Sequence, residues 1–314
     1  MHNQEKYRQY CSTREDIPFY LRPDWLDVAA HGNEWGVAMT EKGGDTLALM
    51  PWFLRKKWGM SLSYQPFLIP YLGPIIRYPD GQKISTRLSW EKELMDDLIR
   101  QLPKTGFFRQ SFRPDIINWL PFYWKGFGQS TRYSYRLNLA KSEADLWGGL
   151  RDNIRREIKK AKKNVTITSS NDLDPLLQLK HQQAKVAGKP FHIPDDYARK
   201  LFELSKINKQ AKLWYAKNDQ NIIHAGLWTT ADAENAIYMM GGSHPDFKQS
   251  AAMSLLMWTA ILEAKNQTAY FDFEGSMIKS VERFFRGFGA EQVPYFEISK
   301  ISNPLFYLWM YFKK

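Results

Sequence analysis

Apolar and polar positions along this chain follow two rhythms, and the places where one gives way to the other mark out its elements. A period near 3.6 runs from Ile84 to Leu102, where Leu88, Leu94, Met95, Leu98 and Leu102 fall on roughly one side of a helix. Similar helical patterns cover Glu5 to Glu15, Pro23 to Ala30, Ala144 to Lys163, Leu173 to Ala187 and Pro194 to Lys209. Between them lie shorter stretches of strand character: Glu34 to Thr40, Thr46 to Lys56 across Gly43-Gly44, Leu62 to Ile76, Gly106 to Phe112 and Thr131 to Leu139. The second half continues with strands Lys212 to Lys217, Ile222 to Thr229 and Asn235 onward to Gly241-Gly242-Ser243. After these come a helix Gln249 to Lys265, a strand Ala269 to Phe273, a short helix Ile278 to Gly287 and a final strand.

The order predicts two α/β domains, 1–140 and 141–314, meeting near Leu139 to Ser142, each with a mixed, largely antiparallel sheet flanked by helices. At 314 residues the chain is long enough for two cores. The longest uncharged run, Trp58 to Ile76, contains Pro66, Pro70 and Pro74, which break a spanning helix, so strands and turns are expected there. A single cysteine, Cys11, excludes an internal disulfide, and the first residues lack the apolar core of a signal peptide. Cytoplasmic residence is the expectation. The net charge of +11 favours anionic partners: phosphorylated ligands, nucleic acid or the inner face of a membrane.

Three segments carry candidate chemistry. In FDFEGS, Phe271 to Ser276, an apolar strand delivers Asp272 and Glu274 two positions apart, hence to one face, where either carboxylate can accept a proton from an attacking amine. In the turn Gly241 to Ser250 and the helix after it, glycines, small polar side chains and Lys248 precede a helix N-terminus, whose amides and dipole favour anions. In Arg151 to Lys163, Ile154, Ile158 and Ala161 make an apolar stripe, and seven cations oppose Asp152 and Glu157, a local charge of about +5. Each has a plainer reading: a turn anchored by Asp272, a strand-ending turn, and a solvated helix face. His181, His192, His224 and His244 show no metal-ligand spacing, so no metal site is expected.

The stretch MGGSHPDFKQSAAMSLLMWTAILEAK, followed by YFDFEGSMIKSVERFFRGFGAEQVPYFEI, resembles the C-terminal part of the GNAT-like acyltransferases that include the Fem-type peptidoglycan aminoacyltransferases. The resemblance implies two tandem GNAT-like domains, a donor-binding second domain and a first domain on the acceptor side. It implies no permanently bound cofactor, with acyl-CoA or aminoacyl-tRNA as co-substrate. It further implies that Gly241, Gly242, Ser243, Lys248, Ser250 and Ala252 receive the donor, that Asp272 or Glu274 is the base, and that Arg151, Arg155, Arg156 and Arg286, with Tyr71 and Gly73 of the turn YLGP, contact phosphate or acceptor. Two departures are visible. The coenzyme A signature, Gln or Arg, two residues, Gly, one residue, Gly or Ala, falls on Phe247, Ser250 and Ala252, of which only Ala252 fits. In FFRGFG, Phe285 takes the place of a Fem-type lysine and Arg286 comes next.

The leading expectation is therefore transfer of an acyl or aminoacyl group to an amine of a phosphorylated or cell-envelope-related acceptor. A rival is a binding or scaffold protein that keeps the fold with a closed or Phe-filled donor groove. A second rival is a nucleic-acid or membrane-surface binder using the basic helix. The aromatic end NPLFYLWMYFKK is expected to pack on the protein, or to touch a membrane peripherally through Trp309, Tyr311 and the last lysines.

Overall fold

A computed structural model describes residues 3–57, 59–275 and 277–303; Ser276 and the aromatic end from Pro304 onward lie outside them. The chain forms two compact units, residues 1–132 with 294–314, and Tyr133–Val293. The residues from Pro294 group with the first unit because the strand they form pairs there.

In the first unit the strands β1 (Glu34–Lys42), β2 (Asp45–Lys57), β3 (Met60–Tyr64) and β5 (Phe107–Ser111) lie side by side in that order. The end of β12 (Glu291–Ile301) follows β5, with Glu297 opposite Ser111 and Ile301 opposite Phe107. Only β3 and β5 are parallel among these pairs, and the two-residue β4 (Ile75–Ile76) pairs with β2. The uncharged run after Trp58 is thus strands and turns, as expected. The helix α3 (Ile84–Gln101) packs on β1 and β2 through Leu94, Met95 and Leu98, while Leu88 stays exposed. Shorter helices α1 (Gln4–Ser12), α2 (Pro23–Ala30) and α4 (Leu120–Trp124) complete the unit.

The second unit begins within β6 (Gly128–Asn138) and orders its strands β6, β11 (Tyr270–Asp272), β10 (Asn235–Ser243), β9 (Ile223–Ala231), β8 (Ala211–Lys217) and β7 (Thr166–Ser169). All these neighbours are antiparallel except β10 and β11. The fold class expected from the sequence, mixed and largely antiparallel sheets flanked by helices, is the one observed. The stretch Ala144 to Lys163 is not one helix. It divides into α5 (Glu143–Gly149) and α6 (Asp152–Ala161), because two glycines weaken the helix end and Leu150 and Arg151 adopt extended backbone. Buried Leu150 is drawn inward, and the Arg151 N–H donates to the Gly287 carbonyl at 2.9 Å.

Helix α9 (Ala252–Lys265) is apolar nearly all round, and it packs on α6 and on β8 to β11. That is the pattern of a helix enclosed by its own domain. Helices α7 (Asp174–Ala187), with contacts to β9 and β10, α8 (Asp195–Ile207) and α10 (Lys279–Arg286) complete the unit. Among the described residues no helix is long and apolar enough to cross a membrane.

Phe273 sits at the centre of an aromatic cluster, fully buried, its ring centre 4.9 Å from Phe271, 5.2 Å from Phe285 and 5.8 Å from Phe288. Phe285, the departure from the Fem-type lysine, is therefore a core residue here. Replacing Phe273 by Ala should remove about 3–5 kcal/mol from the stability of this unit, measured as a shift of the urea unfolding midpoint at constant slope. A loss below about 1 kcal/mol would mean the cluster is not the core described.

Candidate active site

The site is built on a strand pair that comes apart. β10 and β11 are joined by three residue pairs, Asn235 with Tyr270, Ala236 with Phe271 and Ile237 with Asp272. There β11 ends, whereas β10 runs on to Ser243 against β9, with a register shift between Tyr238 and Met240. Past Ile237 the edge of β10 that had faced β11 has no partner strand among the described residues, which leaves backbone groups for a ligand apart from the Gly241 carbonyl, the acceptor of Lys180 Nζ at 3.3 Å.

What ends β11 is the segment carrying the two carboxylates. Asp272, 3% exposed, accepts from the Ser134 hydroxyl at 2.5 Å and from the Glu274 backbone N–H at 2.8 Å. Its other oxygen lies 3.7 Å from Arg136 Nε, whose guanidinium also donates to Asn235 and covers the Tyr270 ring at 4.5 Å. Glu274 and Gly275 both take left-handed backbone, with φ of 60° and 67°. At Gly275 a side chain would run into the Tyr133 carbonyl and lie 2.6 Å from Ser134 Cα, so only glycine fits. The alternation expected along the strand thus stops at Asp272, and the bond from the Glu274 N–H to the Asp272 carboxylate is what holds the two acids together.

Their environments differ. Asp272 is enclosed and engaged by Ser134 and Arg136. The Glu274 carboxyl is pushed up to about 8 by burial and, secondarily, by the negative charge of Asp272. Tyr238, which the sequence did not single out, belongs to the same group. Its hydroxyl occupies the space a side chain at Gly241 would need, its ring meets Phe285 edge-on at 5.4 Å, and burial together with the Glu274 charge pushes its pKa upward. Gly242 has its own constraint, since a side chain there would sit 3.1 Å from Leu179 Cβ of α7. The room at both glycines is filled by the protein's own residues.

Beside the open edge, a cavity of about 460 Å³ lies against the start of α9. The expected helix start at Gln249 is displaced: Pro245–Ser250 forms a 3-10 segment, Ala251 turns left-handed at φ 57°, and the α-helix begins at Ala252. Ser243, Lys248, Ser250 and Ala252, all expected to face the donor, line this cavity. The basic helix also reaches it, through Glu157 and Lys160. Glu157 accepts from the Ser254 hydroxyl of α9 at 2.6 Å, which fixes that face of α6 toward the cavity.

The arginines named from the sequence lie elsewhere. Arg155 donates to the Gly148 and Trp147 carbonyls at 2.9 and 3.3 Å and pairs with Asp152, so it caps the end of α5. Arg151 and Arg156 are exposed, and Arg286 donates to Glu282 at 2.7 Å. In the first unit, Tyr71 is buried against Tyr295 and Tyr20, and Gly73 takes φ 136° close to Met50.

His224, which the sequence marks only by its lack of metal-ligand spacing, has unusual surroundings. It is 6% exposed, lines the cavity, and neither ring nitrogen has a hydrogen-bond partner among the described residues. Phe247 stacks on it at 4.2 Å and 10°. Phe247 therefore forms a wall of the cavity and leaves its volume open, contrary to a Phe-filled groove.

Comparisons with known proteins agree with this geometry. Residues 148–286 match the family model described as an acetyltransferase (GNAT) domain. The fold of the whole chain is similar to that of FemX, with a TM-score of 0.68 at 13% identity, covering 97% of this chain and 98% of that one. It is also similar to a tandem GNAT protein from the clavulanic acid biosynthesis pathway, with a TM-score of 0.58 at 10% identity over 96% and 94% of the two chains. L-PGS from Bacillus licheniformis gives 0.56 at 11% identity over 96% and 93%. No curated protein sequence matches the chain. Residues 148–286 of the second unit are thus similar to a GNAT domain, and the fold of the chain is one it shares with FemX and the tandem GNAT protein.

The Glu274 environment fixes a pH dependence of stability. The folded carboxyl keeps its proton up to about 8, whereas an unfolded one releases it near 4.5. Between those values the folded state binds the extra proton, so stability falls as pH rises through the window. Glu274→Gln should flatten that fall, seen by comparing urea midpoints of parent and variant at about pH 5 and about pH 8. Parallel shifts in both proteins would show that Glu274 is not the group responsible.

Proposed function

We propose that this chain is an N-acyltransferase that moves an acyl or aminoacyl group from a phosphate-bearing donor, acyl-CoA or aminoacyl-tRNA, to an amine of a phosphorylated or cell-envelope-related acceptor. The observation that carries the reading is the departure of β10 from β11 after Ile237, beside a cavity at the N-terminus of α9. The donor's phosphates lie at that helix start, where first-turn amides, the helix dipole, Lys160 and Lys248 favour negative charge. The acyl carbonyl lies along the freed edge of β10.

The acceptor amine attacks the carbonyl carbon and forms the new C–N bond. Backbone N–H groups of β10 beyond Ile237 hold the oxyanion that develops, and they need no reorganisation to do so. The proton released by the ammonium goes to Glu274, with Asp272 as the positioning residue that fixes Glu274 through its backbone N–H. Collapse of the intermediate expels the donor's thiolate or ribose oxygen, which takes up a proton from solvent. A base with a pKa near 8 is matched to this task, because it is partly ionised at neutral pH and accepts a proton readily. The envelope-related acceptor is part of this proposal by way of the Fem-type resemblance.

The test is product formation followed by mass spectrometry with acyl-CoA and aminoacyl-tRNA donors and a panel of amines. Glu274→Gln should lower kcat by about two orders of magnitude with donor KM little changed, and the parent's kcat should rise with pH toward a plateau above about 8. Lys160→Gln with Lys248→Gln should instead raise donor KM, by about tenfold for a lost charge-assisted contact. Undiminished turnover in Glu274→Gln would remove Glu274 as the base. No turnover by the parent with any donor would favour the scaffold reading.

A further inference from the structure

We propose that His224 is a ligand contact of the donor cavity and takes up a proton when a phosphodiester oxyanion binds beside it. This rests on the reading of the cavity as the site of the donor's phosphates, and it names a residue and a proton linkage which that reading does not require.

The argument begins with burial. A buried polar group without a partner is costly, and most such groups in folded proteins are satisfied. His224 is more than nine-tenths buried, neither of its nitrogens has a partner among the described residues, and it lines a cavity with room for a ligand. One face of its ring is covered by Phe247 and both nitrogens are enclosed, so contact with a ligand in the cavity requires the ring to turn an N–H toward it. A protonated imidazole has two diverging N–H donors, and an oxyanion accepts from the one that faces it.

The neighbouring charges set the direction of the linkage. The 3-10 segment brings His244, Asp246 and Lys248, α6 brings Glu157 and Lys160, and α7 brings Lys180, whose Nζ lies 3.3 Å from the Gly241 carbonyl. Helix α9 adds no acidic residue in its first turn. Without ligand, burial and then His244 hold His224 below its usual value, so the ring is neutral at pH 7. A phosphodiester brings fixed negative charge and favours the protonated ring. Binding therefore strengthens as pH falls from the pKa of the ligand-bound ring to that of the free ring, by up to about tenfold per pH unit for one proton.

Acyl-CoA and aminoacyl-tRNA share this chemistry, so the experiment has two arms. One probe is dephospho-coenzyme A, whose pyrophosphodiester keeps its charge across the range. The other is an RNA acceptor-stem hairpin ending in CCA. Affinity is measured by calorimetry from about pH 8 to about pH 5.5, across the range where histidine titrates, in buffers of different ionisation enthalpy that report proton uptake. For at least one probe, affinity should rise several-fold on acidification with uptake of up to one proton, and the arm that responds identifies the source. His224→Gln, and His224→Phe, which keeps a ring on Phe247, should abolish slope and uptake, while His244→Gln should retain them. The uptake in the parent protein needs no variant, so a variant that fails to fold does not decide the result. Binding with a flat pH profile and no proton uptake would overturn this inference and leave the donor reading standing. Binding whose slope survives in both His224 variants would do the same. No binding of either probe at any pH would overturn both.

Discussion

Three residue pairs join β10 to β11, and the proposed site depends on their ending at Ile237 and Asp272. A fourth and fifth pair would satisfy the backbone of β10 and close the edge. They are prevented by the segment that follows. Asp272 takes the Glu274 N–H, Glu274 and Gly275 turn left-handed, and Gly275 passes so close to Tyr133 and Ser134 that no side chain is tolerated. The same few residues thus terminate a strand, open a neighbouring edge and place a carboxyl of raised pKa beside it.

The second element of the site is electrostatic and lies on the other side of the same opening. Helix α9 starts abruptly after a left-handed Ala251, its Ala252 N–H donating to the Ser250 hydroxyl at 3.4 Å, and its first residues line the cavity. Lys160 and Lys248 add charge there, while Glu157 is held by Ser254. The apolar side of α9 is packed on α6 and on four strands, so the helix end is held rigidly. In the proposed reading a donor phosphate meets groups fixed before it arrives, which limits the ordering cost of binding.

Much of this was legible in the sequence, for identifiable reasons. The 3.6-residue period of Ile154, Ile158 and Ala161 marks the buried stripe of α6, and these three residues are buried. FDFEGS signalled the two acids, but alternation was the wrong cause, since a strand period cannot foresee a left-handed residue at Glu274. Which cations of α6 reach the cavity depends on the rotation of that helix against α9. Periodicity fixes the buried face and leaves the polar side undivided, so Lys160 could not be told apart from Arg151, Arg155 and Arg156. The departures at Phe247 and Phe285 suggested a blocked groove. Phe285 instead fills the core beside Phe273, and Phe247 stacks on His224. His224 itself carried no signal, because a single histidine in an apolar strand looks the same whether its nitrogens are satisfied or not. Tyr238 gave none either, its significance arising only from the space left at Gly241.

The central claim is that the donor occupies the opening between β10 and the start of α9. Backbone hydrogen exchange of the protein with and without a saturating acyl donor tests it most directly, because the amides concerned belong to short, separate segments. Protection on binding is expected in 238–243 and 251–255, with little change in β7 or β8. Donor binding that protects other segments and leaves both of these exchanging as before would contradict the account.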